Sequence, residues 1–322
     1  KIQHSLGNNN YVLGITITNG STVNWRTDGI YNSSCNELIG HLTPIDIGPG
    51  SFLNWNGQSI STKTGTGFIK NGEGTWHLGP QNGAFPGGFI LNTGSIILGA
   101  DVNTIGIGPL TINGGVVAGN GTAVKIPAVS SISIANDFML GNSPTLTNAN
   151  GSIIFNSDVT LGSNQIRTIT VGGNFTSGST GVYTFNGIIA GANSSIIFNR
   201  LTGKTGRIVL GGANTYNGGT TIQAGKVSLG ASGVLADAGA IQLSGGTLNT
   251  GVTAGFNETA GTLKLTANST IELGTGSHTL AFAASNGQSW TGSTMLTITG
   301  WSGGYNGTAS ATAGKIFVGT DA

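Results

Sequence analysis

The chain has 322 residues, of which 58 are glycine and one, Cys35, is cysteine. That glycine share is more than twice the ordinary ~7%, but it has no G-X-Y period and 37% of residues are hydrophobic, which excludes collagen and disorder alike. Charged residues make up 7% and the net charge is +1, too weak a field to draw nucleic acid or an anionic membrane; a single cysteine excludes an internal disulfide and a cysteine-built zinc site.

Residues 1–71 alternate cleanly only at 12–18 (VLGITIT) and 51–55 (SFLNW), with a loop-like stretch carrying Arg26, Asp28 and Tyr31 between them. An irregular start suits a cap, because stacked strands must cover their first open edge. From residue 72 onward the alternation recurs at 107–112, 114–118, 130–134, 152–155, 158–161, 166–171, 182–185 and 195–198. No gap between these runs is long enough for a crossover helix. Pro86, Pro109, Pro127 and Pro144 fall between runs or near their starts, where proline spares a ladder.

The stretch 207–230 (RIVLGGANTYNGGTTIQAGKVSLG) sets two alternating runs, 208–210 and 227–229, about a turn built on Asn214 and Gly218-Gly219. A further short strand starts at Thr221-Ile222. The phrase has an earlier copy at 74–99: Phe85-Pro86-Gly87-Gly88 aligns with Tyr216-Asn217-Gly218-Gly219 at an offset of 131 (216 − 85). Then the beat quickens. The triplets 241–243, 263–265, 271–273, 280–282, 296–298 and 316–318 all begin and end with an apolar residue, so that pair shares the inner face and the middle residue points out. Lys264 and Glu272 are thereby expected in solvent. Short strands bounded by glycine imply an all-β chain, a parallel β-helix or β-solenoid with coils of about 20–30 residues. It comprises a cap region, 1–71, and solenoid segments 72–202 and 203–322. A β-sandwich would ask for longer strands.

With 210–222 (LGGANTYNGGTTI), Ala224-Gly225 and Leu229-Gly230, the chain resembles the autotransporter-associated β-strand repeat of large secreted bacterial surface proteins. The run 276–318 (GSHTLAFAASNGQSWTG, LTITGWSGG, GKIFV) resembles the ending of such arrays in type IX-secreted surface proteins of Bacteroidetes-like bacteria. The likeness is good over 203–322 and looser over 72–119. It implies an extracellular scaffold displayed on the cell surface as an adhesin, with more sequence to follow residue 322. Its implied partners are the outer-membrane secretion machinery during export and, as ligands, surface glycans. It implies no catalysis, no cofactor, no metal and no nucleotide.

The chemistry the residues themselves offer is sparse. Asp137 and Asp158, and likewise Asp237 and Glu258, are 21 apart (158 − 137, 258 − 237). In coils of that length each pair would stack on one face, and two close carboxyls can serve as acid and base or hold Ca²⁺. A carbohydrate-active β-helix enzyme, lyase or hydrolase, is therefore the alternative function, although such a site usually gathers three or more acids with a basic partner. The densest basic run, 200–207 (RLTGKTGR), reads as a solvated loop; Gly203-Lys204-Thr205 lacks the upstream glycine of a phosphate-binding loop, where Phe198 stands. His4, His41, His77 and His278 are isolated, and neither a GxSxG elbow nor a GGxGxD repeat occurs. Trp290, Trp301 and Tyr305 are the candidate carbohydrate-binding residues, because an exposed aromatic ring beside Asn and Gly can stack on a sugar. Threonine pairs at 16/18, 220/221 and 297/299 recur too irregularly in sequence to form a binding ladder.

Overall fold

The structure, a computed structural model, describes residues 2–6, 12–18, 22–25, 42–55, 65, 67–78, 86–99, 105–120, 124–126, 129–141, 151–174, 181–301 and 314–319. Among these there is no helix, and the strands form three sheets of parallel β-solenoid coils, as the alternation implies. The packing divides into two compact units, Lys1–Ser157 with Gly172–Val182, and Asp158–Val171 with Tyr183–Ala322.

In the first unit one sheet runs Ile2–Leu6, Val12–Ile17, Leu42–Ile47, Gly67–Asn71, Gly88–Leu91, Leu110–Ile112 and Ile132–Ile134. A second runs Thr22–Trp25, Phe52–Trp55, Thr75–Leu78, Ser95–Leu98, Val116–Gly119 and Phe138–Leu140. Successive coils lie parallel in register, with steps such as 21 residues between Phe89 and Leu110 (110 − 89). Ile2–Leu6 differs: it pairs antiparallel with Val12–Ile17. The run read as 107–112 narrows to Leu110–Ile112, because Pro109 has no N–H to give a ladder. The next begins at Val116 rather than Gly114, since Gly114 and Gly115 both take positive φ at the corner.

Inward residues stack into columns that exclude water. Phe68, Phe89, Leu110 and Ile132 form one, and Leu53, Trp76, Ile96, Val117 and Leu140 another. Trp76 meets Phe68 edge-on and Phe89 at a tilt, both at 5.5 Å between ring centroids. Where the next coil has Leu91, this one has Lys70, fully buried, with its ammonium donating to the carbonyls of Asn71 and Gly72 at 2.7 Å and Thr93 at 3.3 Å. Burial lowers its pKa from 10.5 to about 8 against the pull of Asp46 and Glu73. At the same corner an amide ladder climbs the coils: Asn113 Nδ2 donates to Asn92 Oδ1, and Asn92 Nδ2 to Asn71 Oδ1, each at 2.7 Å.

In the second unit one sheet runs Ile166–Val171, Ser195–Arg200, Gly219–Ile222, Ile241–Ser244, Glu258–Ala267, His278–Ala283 and Gly314–Val318. Another runs Arg207–Leu210, Lys226–Leu229, Thr247–Asn249, Ser269–Glu272 and Leu296–Thr299. Coil lengths vary here, from 21 residues (241 − 220) to 36 (314 − 278). Phe198, Ile222, Leu243 and Leu265 fill one inner column, and Ile208, Val227, Leu248 and Ile271 another. Thr220 also points inward, where its hydroxyl is 2.7 Å from the buried Tyr216 hydroxyl. Glu272 points outward as expected and there pairs with Lys226 at 2.5 Å. Two inward expectations need correction. Val318 is 50% exposed at the end of its strand. Ile298, expected inside, is 43% exposed, because its strand is the last of its sheet among the described residues.

Candidate functional site

Parallel register places residues from successive coils about 4.8 Å apart on one face. On the outer face of the Arg207–Thr299 sheet this produces a column of Arg207, Lys226, Thr247, Thr270 and Thr297. The threonines are separated by 23 (270 − 247) and 27 (297 − 270) residues, so unequal coil lengths conceal a register that the backbone restores. Three threonines therefore do form a ladder, of which only Thr297 belongs to a pair that the sequence singles out. Thr221 stands instead between Ile197 and Gln242.

In sequence, the candidate sugar-binding tryptophans lie on either side of Leu296–Thr299, the last strand of this sheet among the described residues. Trp290 precedes Leu296–Thr299 and is 43% exposed; its Nε1 donates to the Leu263 carbonyl at 3.2 Å, which fixes the edge of the indole. Trp301 follows the strand, after Gly300 with φ +74°, and is 49% exposed. Exposed Met295 and Ile298 lie between them in sequence. Tyr305 lies outside the described residues. The arrangement offers uncharged hydroxyls and open indole surface, which suits the apolar faces and polar rims of neutral sugars.

The two acidic pairs fare differently. Asp137 is exposed on the first unit; Asp158 belongs to the second, where its Oδ1 accepts the Ile188 N–H at 2.8 Å. Asp237 and Glu258 do come within electrostatic reach of each other, but on different terms: Asp237 is exposed, while Glu258 is 3% exposed and faces inward. Glu258 Oε2 accepts the Val234 N–H at 2.8 Å. Burial pushes its pKa from 4.5 up to about 7; amide bonds from Val234, Leu235 and Thr259 oppose the rise and Asp237 adds to it. No group of three or more His, Cys, Asp or Glu capable of holding a metal occurs among the described residues.

Of the basic run, Arg200 ends one strand and packs against Gly225, and Arg207 begins the next, beside Lys226. Burial lowers the Arg207 pKa and Glu272 counters it, so this corner is a charge network of one acid among several bases. His77 is half-buried on a strand surface. Its Nδ1–H donates to Asn54 Oδ1 at 2.9 Å and its Nε2 accepts from Asn120 Nδ2 at 3.2 Å, which defines a neutral tautomer, and burial lowers its pKa. His278 is buried between the Thr250 hydroxyl, at 2.8 Å, and the Gly276 carbonyl, at 2.9 Å. Both histidines hold coils together.

No family model matches the chain, and comparison with curated proteins and with solved structures finds no significant match to either.

Proposed function

We propose that this chain belongs to a secreted, cell-surface β-solenoid scaffold that acts as an adhesin, exported across a bacterial outer membrane and touching surface glycans. The observation that carries the proposal is the exposure of Trp290 and Trp301, which in sequence stand on either side of a strand that continues a threonine column. Open indole beside threonine hydroxyls, with the nearby Lys226 and Glu272 neutralising each other, supports contact with neutral saccharides. The autotransporter-like and type IX-like phrases of the sequence support export and display. A carbohydrate-cleaving enzyme is the second reading, favoured by one feature only, the raised carboxyl of Glu258 beside Asp237. Against it, Glu258 is spent on backbone amides in the interior, where no polysaccharide reaches it.

Protease shaving of intact producing cells tests display. Trypsin cuts after Arg207 and Lys226, so release of peptide 208–226 from whole cells, lost when the secretion machinery is deleted, is the expected result. The same peptide appearing only after lysis refutes the adhesin. A glycan array with wild type and the Trp290→Ala, Trp301→Ala double variant then tests the ligand class; retention equal in both removes the tryptophans from the site.

A further inference from the structure

In the second unit a chain of buried hydrogen bonds crosses successive coils. Ile189 N–H donates to Asn214 Oδ1 at 2.7 Å, Asn214 Nδ2 donates to the Val234 carbonyl at 2.7 Å, and Val234 N–H donates to Glu258 Oε2 at 2.8 Å. Asn214 N–H reaches the same carbonyl at 3.2 Å. Val234 and Leu235, both buried, thus pin the connecting loop 231–240 to the interior, and Gly233 N–H adds a bond to the Asn257 carbonyl at 3.0 Å. Glu258 ends the chain. It occupies an inward position that is Leu280 in the next coil and Ile316 in the one after.

Only half of that carboxyl is well satisfied: the Leu235 and Thr259 amides also lie near it, but Oε1 is buried and no donor meets it in hydrogen-bonding geometry. An ionised carboxylate spreads its charge over both oxygens, so burying one without a donor leaves charge uncompensated. A proton on Oε1 removes that charge while Oε2 goes on accepting from Val234. The surroundings favour the proton too. Asp237 faces Glu258 from the loop and disfavours a further negative charge, while Tyr216, on the 211–218 turn, is held neutral by its burial. On the paired strand, His278 is turned to Thr250 and Gly276. A bound cation is disfavoured, since Oε2 already faces an N–H donor.

We propose that Glu258 is a proton-operated latch on the 231–240 loop: with a proton on Oε1 the loop is closed onto the coil, and loss of that proton lets it open and hydrate the carboxylate. The closed loop binds the proton more tightly than the open one, in which the carboxyl returns to its ordinary 4.5 from about 7. Opening is therefore independent of pH below 4.5, becomes easier as pH rises towards 7, and levels off above it. The difference of 2.5 units (7 − 4.5) corresponds to a change of up to ~300-fold in the opening constant.

Hydrogen exchange of the full chain, read on peptides covering 231–240 and corrected for intrinsic rates, measures that constant directly. Between pH 5 and 8 it is expected to rise on the order of 100-fold in wild type. In Glu258→Gln the side-chain carbonyl accepts from Val234 and the amide stands where the protonated oxygen stood, so opening stays low at every pH. Wild-type opening that changes less than about threefold, or a Gln variant as steep as wild type, overturns the latch. A carbon-13 titration of the Glu258 carboxyl in wild type decides the matter even where the variant does not fold. A midpoint near pH 7 supports the latch and one below pH 5 refutes it.

Discussion

Gly94 and Gly203 take nearly the same left-handed backbone, φ +73° and +76°, yet only one of them is crowded. A Cβ on Gly94 would lie 2.3 Å from the Gly72 carbonyl oxygen, 2.5 Å from that of Gly74 and 2.8 Å from Lys70 Nζ; on Gly203 it would meet nothing within 4 Å. Alanine at either position carries the left-handed penalty of about 1–2 kcal/mol. At Gly94 it must in addition push adjacent coils apart by about 1 Å, since carbon and oxygen in contact stand about 3.3 Å apart. That displacement breaks the Ser95 N–H bond to the Gly74 carbonyl, now 3.1 Å, and draws the Lys70 ammonium from the Gly72 and Thr93 carbonyls. Those losses add about 1 kcal/mol for the neutral bond and about 1.5–3 for a charged one. Gly94→Ala is expected to cost roughly 4–6 kcal/mol and Gly203→Ala roughly 1–2. Native-state hydrogen exchange against urea, read on peptides 88–98 and 195–210, gives the opening free energy of each coil. If Gly94→Ala falls within about 1 kcal/mol of Gly203→Ala, close approach of the backbones is not what requires glycine there.

Two further outcomes follow from the same corner of the first unit. Asn92→Ala removes both links of the Asn71–Asn92–Asn113 ladder, at about 1 kcal/mol each, so unfolding in urea is expected to show a loss of roughly 2 kcal/mol, while Asn113→Ala, which breaks one link, costs about half as much. Lys70 gives a pH signature. Its folded pKa, about 8, lies below the ordinary 10.5, so the fold disfavours the charged form and gains stability as pH rises from 8 towards 10.5, by on the order of 3 kcal/mol. Urea midpoints at pH 8 and 10 check this against Lys70→Met, in which that gain disappears; an equal rise in both proteins removes Lys70 as its source.

The fold was legible because a strand that buries one face must alternate, and runs such as 241–243 and 280–282 keep that alternation in three residues. What the sequence concealed lay between coils. The asparagines at 71, 92 and 113 recur every 21 residues after FIK, FIL and LTI, a shorter period than the 131-residue offset that draws the eye. They were visible, but nothing in a single strand says that one amide will meet the next. The Thr247–Thr270–Thr297 column was hidden for the opposite reason: the coils differ in length, so equal register does not give equal spacing.

Glu258 shows where alternation itself misleads. Counting back from the inward Leu265 and Leu263 puts Thr259 inside and Glu258 outside, as expected of an exposed acid stacked on Asp237. The strand, however, shifts register between Ala260 and Thr262, and one residue of bulge exchanges the faces. Ala260 and Glu258 turn inward, Thr259 outward. Gly261 is the residue in the sequence that permits the shift, since its Cα lies so near the Gly239 carbonyl that an added Cβ would stand 2.7 Å from the oxygen. A spacing of 21 residues did bring the two carboxyls near each other, but the bulge decided their chemistry: one stays in water, and the other ends a chain of hydrogen bonds in the core.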